Sequence, residues 1–132
     1  MSSIGDYIAF AEMLRRGGHG PGSVVLGPRT LELMTSNHLP GGHDMAHFGH
    51  NVNPELTVGV GFGLGFFVVL DPVAMRLPAS RGQFGWSGAA STTFFVDPAE
   101  DLSVVFCTQV MPSSASPVRR ELRVLVHQAL LD

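Results

Sequence analysis

Between Gly59 and Leu70 the sequence alternates: Phe62, Leu64, Phe66, Val68 and Leu70 fall on one parity, and Gly61, Gly63, Gly65, Phe67 and Val69 on the other. A period of two is the mark of a β-strand, whose successive side chains point to opposite faces of a sheet. One face of the first half of this run is bare glycine, which leaves room for another stretch of backbone, or a ligand, to lie against it. The strand so predicted, residues 59–70, ends at Asp71-Pro72. Two further runs of β-formers follow at 85–96 and 102–110, joined by Asp97-Pro98-Ala99-Glu100-Asp101. Proline and acidic residues favour a tight reversal, so these two strands are expected to form an antiparallel hairpin.

Helices flank the strands. Ser3 and Asp6 have the spacing of a capping box, and Tyr7, Phe10, Ala11 and Leu14 follow at helical intervals, predicting a helix over 3–16. Arg15 and Arg16 suit the negative end of its dipole, and Gly17-Gly18 permits the left-handed turn that stops it. Pro28 opens a second helix, 28–36, where its missing N–H has no helical partner to lose. Residues 37–53, rich in Gly, His, Asn and Pro, read as a long loop. Ser116-Pro117 begins a last helix, 117–131, expected to lie on the sheet through Leu122, Leu125, Val126, Ala129 and Leu130, with Arg119, Arg120 and Arg123 in solvent. The expected fold is α+β: an antiparallel sheet of about three strands packed with helices, one domain over 1–132.

Composition narrows the chemistry. Of 132 residues only 14% are charged, and all eight basic residues are arginine. With no lysine, a lysine base, a Schiff base and a phosphate-cradling lysine are all excluded. The formal charge of -3, with arginines scattered, argues against nucleic acid. Cys107 is the lone cysteine, so no internal disulfide forms, and its place in an apolar run predicts a buried thiol. The longest apolar stretch, 58–70, carries four glycines and is too short to span a bilayer. Residues 1–6 show neither a basic region nor an apolar signal core, so a cytoplasmic location is expected, with no membrane partner.

Four motifs compete for a function. Gly85-Trp86-Ser87-Gly88-Ala89 approaches a nucleophile elbow, but β-formers follow where a helix is needed; a strand with a glycine for close packing is the simpler reading. The glycines at 59, 61, 63 and 65 miss the dinucleotide fingerprint and precede no helix. His43, His47 and His50, with His38 and Asp44 nearby, have the residue types of a zinc cluster, although Gly41-Gly42 and Gly49 oppose the helix that would align them. Asp97, Glu100 and Asp101 read as a solvated turn rather than paired catalytic carboxylates.

The order Ser3-Ile4-Gly5-Asp6-Tyr7 into a helix ending Gly17-Gly18, then Leu26-Gly27-Pro28 into a helix ending Met34-Thr35, resembles a known family. Gly61-Phe62-Gly63-Leu64-Gly65-Phe66, Gly85-Trp86-Ser87-Gly88, and Val96-Asp97-Pro98 through Asp101-Leu102 extend the likeness over nearly the whole chain. The family is that of the serine β-lactamase-like hydrolases, in particular the class C type and the related short-chain esterases, and the chain resembles its C-terminal part. The resemblance implies the β-lactamase/transpeptidase-like fold and an active site built from Ser-x-x-Lys, Tyr-x-Asn and a third motif on an inner strand, Lys-Thr-Gly or Trp-x-Gly. Trp86-Ser87-Gly88 matches the third. By that match Trp86 lines the acyl pocket, Gly88 lets substrate lie against the strand, and the Ala89 N–H is an oxyanion donor.

The other two motifs are absent: there is no lysine, and Tyr7 is followed by Ile8-Ala9. The chain is thus expected to hold no catalytic residue, to need no cofactor, and to be inactive alone. It would require a complementary N-terminal half carrying Ser-x-x-Lys before it could act on a small ester or lactam. A sheet lacking that half exposes a strand edge and apolar surface, predicting a homo-oligomer. Two other readings stand beside this one: a non-catalytic interaction or ligand-binding module using the same sheet, and a metal-binding protein using the histidine loop.

Overall fold

The computed structural model describes residues 2–49 and 57–130. Helix α1 (Ile4–Arg15) starts where expected: the Asp6 N–H donates to Ser3 Oγ at 3.2 Å, and the Ser3 N–H to Asp6 Oδ2 at 3.3 Å. It stops as Gly17 and Gly18 turn to positive φ and their N–H groups take up the carbonyls of Leu14 and Met13. Helix α2 (Pro28–Met34) follows, shorter than predicted by two residues. The loop after it forms two short 3₁₀ turns, Pro40–Gly42 and Met45–Phe48.

The sheet has five strands rather than about three, because two of the predicted strands are hairpins. Residues 59–70 divide into β1 (Val60–Phe62) and β2 (Phe67–Val69), antiparallel with Val60 opposite Val69 and Phe62 opposite Phe67. The reversal needs Gly65 at φ +92°, and the Gly63 N–H closes it on the Phe66 carbonyl at 2.8 Å. The bare glycine face is used by the chain itself. A Cβ on Gly63 would stand 2.1 Å from the carbonyl oxygen of Met34, the last residue of α2, which accepts the Leu64 N–H at 2.8 Å. Likewise, residues 85–96 divide into β3 (Phe84–Ser87) and β4 (Thr93–Asp97). Ser91 takes the left-handed turn between them at φ +64°, held by its hydroxyl on the Val110 carbonyl at 2.7 Å. The predicted reversal at 97–101 is present, with Asp97 as the last residue of β4, and leads into β5 (Leu102–Phe106), which ends four residues before 110. A single turn of helix, α3 (Pro72–Met75), capped by Asp71, links β2 to β3.

The strands form a meander, β1-β2-β3-β4-β5, antiparallel throughout. Phe66, Val68, Phe84, Phe94 and Val96 face a core shared with α1 and α2, while Val60, Phe67, Val69 and Phe95 face a second core on the opposite side. The outer edge of β1 is covered, since Phe62 bonds to Asn37 Oδ1 and to the His38 N–H. The outer edge of β5 is bonded to no strand among the described residues. Among the described residues no helix is long and apolar enough to cross a membrane.

The second core is closed by α4 (Val118–Gln128), which packs on it through Val124 and Val126; Val126 belongs to the predicted face, but Leu125 of that face does not dock and two of the arginines expected in solvent do. Leu125 is 62% exposed, whereas Arg119 and Arg123 are only 9% and 6% exposed. The Arg123 guanidinium lies 4.6 Å from the ring centre of Phe95 and 5.6 Å from that of Phe67, and donates to Gln83 Oε1. A planar guanidinium satisfies its charge over aromatic faces while its stem covers apolar surface, so arginine docks beside Val124 and Val126 here, where Leu125 was expected.

On the other side α1 is pinned by its C-terminal half. Glu12 accepts from Arg15 at 2.8 Å and from Ser103 of β5, and Arg15 also reaches Asp101 in the β4–β5 turn. The hydrogen bonds from Arg15, and then from Ser103, hold the Glu12 carboxyl at about 2 against an ordinary 4.5. A carboxyl depressed by folding stabilises the fold fully above its unfolded value, and the contribution is lost as pH falls from about 4.5 towards about 2. The Glu12 side chain keeps 30% exposure, so solvent screening keeps the effect small. The urea midpoint of a Glu12→Gln variant is expected below that of the parent at neutral pH and to converge with it near pH 2. Equal midpoints at neutral pH would show that the contact contributes nothing.

Candidate functional site

Trp86, Ser87 and Gly88 lie at the end of β3 and in the first position of the turn to β4. Gly85 sets their place. A Cβ there would meet the Phe94 carbonyl oxygen at 2.1 Å and the Phe95 Cα at 2.7 Å, so only glycine lets β3 lie this close to β4. Pairing with β2 stops at Gly85, and the backbone beyond it has an edge that β2 does not occupy. On the other side the strand stays tied to β4: Ser87 Oγ is 3.1 Å from Thr93 Oγ1, and the Gly88 N–H donates to the Thr92 carbonyl at 2.9 Å. The Trp86 ring stands edge-on to Phe62 at 5.4 Å. Ala89 is exposed in the turn, and its N–H is engaged by no described residue. A second strand follows this turn rather than a helix, so the segment is no nucleophile elbow.

Beside this strand end is a cleft of about 320 Å³, lined by Trp86, Ser87 and Gly88 on one wall and by Tyr7, Phe106 and Cys107 on others. Ala89 is not part of the lining. The C-terminal half of α1 is held to β5 and the β4–β5 turn through Glu12 and Arg15, and Tyr7 of its first turns forms one wall of the cleft. Tyr7 packs edge-on against Phe94 at 5.2 Å, and burial, with Cys107 nearby as a lesser cause, pushes its phenol up, so it stays a neutral donor. Cys107 is exposed, not buried as its apolar surroundings in sequence suggest, because β5 ends at Phe106 and leaves it the first residue outside the ladder. On the α4 side of the same strand, Arg119, Arg120 and Arg123 border a crevice of about 10 Å³ next to Ser87 and Thr93. Arg119 Nη1 lies 3.4 Å from the Gly88 carbonyl.

Neither Tyr7 nor Cys107 was legible as a site residue. They are 100 residues apart in sequence and meet only because α1 crosses the end of β5. Each is the sole example of its type in the chain, and that is the one signal the sequence offered.

The other candidates have different roles. His43 and His47 stack face to face at 3.9 Å and 7°, and His38 Nε2 is 2.8 Å from the Leu33 carbonyl. Asp44 is occupied in accepting the N–H groups of His47 and Gly59, and His50 lies outside the described residues. Among the described residues no three His, Cys, Asp or Glu side chains are placed to hold a metal ion. Asp97, expected in solvent, is fully buried, whereas Glu100 and Asp101 are exposed in the turn.

A five-stranded antiparallel meander between helices, with Trp-Ser-Gly on an inner strand beside an apolar cleft, defines a serine β-lactamase-like hydrolase fold. The beta-lactamase family model matches residues 1–129, and the chain belongs to that family. Protein Rv1367c of Mycobacterium tuberculosis is 34% identical over 114 residues, 84% of this chain and 28% of that protein. Among solved structures, EstCE1, described as a hydrolase with promiscuous acyltransferase activity, is 27% identical with a TM-score of 0.67, covering 89% of this chain and 28% of EstCE1. Simvastatin synthase (LovD) of Aspergillus terreus superposes with a TM-score of 0.75 at 20% identity, over 99% of this chain and 35% of that one, and is a likeness of fold. The chain spans about a quarter to a third of the length of these relatives.

Proposed function

We propose that this chain forms one wall of the active site of an ester-type acyl hydrolase, and that the nucleophile and its base come from residues outside it. The observation that carries this reading is the Trp86-Ser87-Gly88 strand end, free of β2 along one edge and bordering an apolar cleft, in a sequence with no lysine. A substrate acyl group lies along that free edge with Trp86 against it. The Ala89 N–H, unengaged in the turn, donates to the oxygen that becomes negative as the carbonyl is attacked, and one such donor contributes roughly 3 kcal/mol to the transition state. Ser87 is a poor nucleophile here: its hydroxyl neighbour is Thr93, which is no base, and a serine without an adjacent base is not activated. The description of EstCE1 as a hydrolase supports the reaction class. The unpaired edge of β5 offers the complementary segment a strand to pair with.

The purified chain is expected to turn over p-nitrophenyl butyrate no faster than its Trp86→Ala variant. Co-expression with an esterase segment bearing Ser-x-x-Lys is expected to produce activity that Trp86→Ala then removes. Turnover by the chain alone above the Trp86→Ala level would overturn the proposal. A complemented pair that stays inactive would favour a ligand-binding module instead.

A further inference from the structure

Strand β5 closes the sheet with an outer edge that is unpaired among the described residues. From Leu102 to Val110 the sequence is Leu-Ser-Val-Val-Phe-Cys-Thr-Gln-Val, with no charge, proline or glycine, and the chain has no lysine at all. Proteins keep a lone edge single with charged residues, lysine above all, with proline or with bulges, and this edge has no such charge or proline. Helix α1 lies above it, packed on β5 and β4. Glu12 of α1 accepts from Ser103 of β5, and Ile8 and Ile4 stand one and two turns earlier on the same helix face. Both stay exposed although they are large and aliphatic. The run Tyr7-Ile8-Ala9-Phe10-Ala11 gives these turns no polar face, and a helix that is apolar all round is one that is covered. The bare edge and the bare isoleucine stripe lie side by side.

A second copy fits both at once. Joining two β5 edges antiparallel sets a two-fold axis through the middle of the pair, perpendicular to the sheet, and leaves both α1 helices on the same face. Strands in a sheet are about 4.8 Å apart, so β5 lies about 2.4 Å and β4 about 7.2 Å from that axis, and a helix seated between them lies about 4.8 Å from it. The two α1 axes are then about 10 Å apart, at the upper end of the roughly 8–10 Å at which helices pack. The pairing also brings no like charges together, since neither strand carries any.

We infer that the chain by itself forms a two-fold dimer, in which β5 pairs antiparallel with the β5 of its partner and α1 packs on the partner's α1 along Ile4 and Ile8. The two five-stranded sheets become one continuous sheet. The dimer stands whether or not Trp86, Ser87 and Gly88 serve an acyl hydrolase, and it occupies the edge that a complementary segment needs. Such a segment adds only to a chain released from its partner.

Light scattering of the purified chain at micromolar concentration should give twice 14.1 kDa. Ile8→Lys and Ile8→Glu each set like charges against one another across the axis, and each should give the single-chain mass. Their far-ultraviolet circular dichroism should stay that of the parent, because Ile8 is exposed. Mixed in equal amounts, the two variants present opposite charges and should recover the doubled mass, which unfolded chains would not. A spin label on Cys107, the only cysteine and an exposed one, supplies a second measurement. With Leu102–Phe106 paired end to end the axis passes Val104, and Cys107 is three residues beyond it in each copy, so the labelled positions are six residues, or about 20 Å, apart along the strands. A single-chain mass for the parent would overturn the inference and leave the edge to the complementary segment. An open series of larger masses, a doubled mass kept by both Ile8 variants, a mixture that stays single, or a label separation more than about twice that length would each overturn it too. No activity is measured, so its failure is distinct from a failure of the complementation assay.

Discussion

Replacing Asp97 by alanine is expected to lower the stability of the chain by about 3 to 5 kcal/mol, measured as a fall in the urea midpoint at unchanged slope. Asp97 is 0% exposed and its two oxygens accept four N–H groups. Oδ2 takes Gln83 Nε2 at 2.9 Å and the Ser80 N–H at 3.2 Å, and Oδ1 takes those of Ala99 at 3.1 Å and Glu100 at 3.4 Å. The four are not equal. Ala99 and Glu100 lie in an exposed turn where water replaces the lost acceptor, so their loss is cheap. Gln83 is fully buried and stays unsatisfied, at about 1 to 3 kcal/mol for a buried orphan, with Ser80 close behind. The loss spreads further, because Gln83 Oε1 receives Arg123, the residue that docks α4, and His127 of α4 stands 3.9 Å from Asp97 Oδ2. Asp97→Asn keeps the size and one accepting oxygen and should cost about half as much. Gln83 also leads directly into β3, so Trp86 emission should shift to the red in Asp97→Ala as the strand end loosens. A loss below about 1 kcal/mol would show that water repairs the site.

Asp97 also marks where the sequence was legible and where it was not. The reversal after it was readable because Pro98 and the acidic residues state a turn locally, and the starts of α1 and α2 were readable for the same reason, from Ser3, Asp6 and Pro28. Burial of the Asp97 carboxyl depends on Ser80, Gln83 and α4, none of them near it in sequence. The two missed hairpins failed differently. Alternating glycine and apolar residues read the same whether the strand continues or folds back, and Ser91 turns left-handed without a glycine to announce it. Periodicity placed α4 by its leucines because it scores arginine as polar, and two aromatic faces under Arg123 reverse that preference. The Trp86-Ser87-Gly88 wall was visible as a motif, whereas the cleft beside it needed the packing of α1 against β4 and β5, which brings Tyr7 to Cys107.

Gly85→Ala and Gly88→Ala are expected to part company completely, though they lie three residues apart. At Gly85 the added methyl meets backbone, the Phe94 carbonyl oxygen at 2.1 Å and the Phe95 Cα at 2.7 Å, and no rotamer change relieves it. β3 must move off β4, breaking the register that pairs Gly85 with Phe95 and Trp86 with Phe94. Overpacking on this scale costs about 3 kcal/mol or more, a fall in Tm of roughly 10 °C or more for a chain of this size. At Gly88 the methyl meets Thr92 Oγ1 at 2.4 Å, the end of a side chain that rotates away, with the next atom at 3.8 Å. Stability should change there by under about 1 kcal/mol. Gly88 lines the cleft, however, and the same methyl intrudes on the strand end along which the substrate acyl group is proposed to lie. Ester turnover in the complemented pair should therefore fall about tenfold or more in Gly88→Ala, equivalent to about 1.4 kcal/mol, while its thermal melt stays that of the parent. If the complemented Gly88→Ala pair turns over ester as fast as the parent pair, the substrate does not approach the strand there, and the wall would have to be drawn through Trp86 and Tyr7 alone.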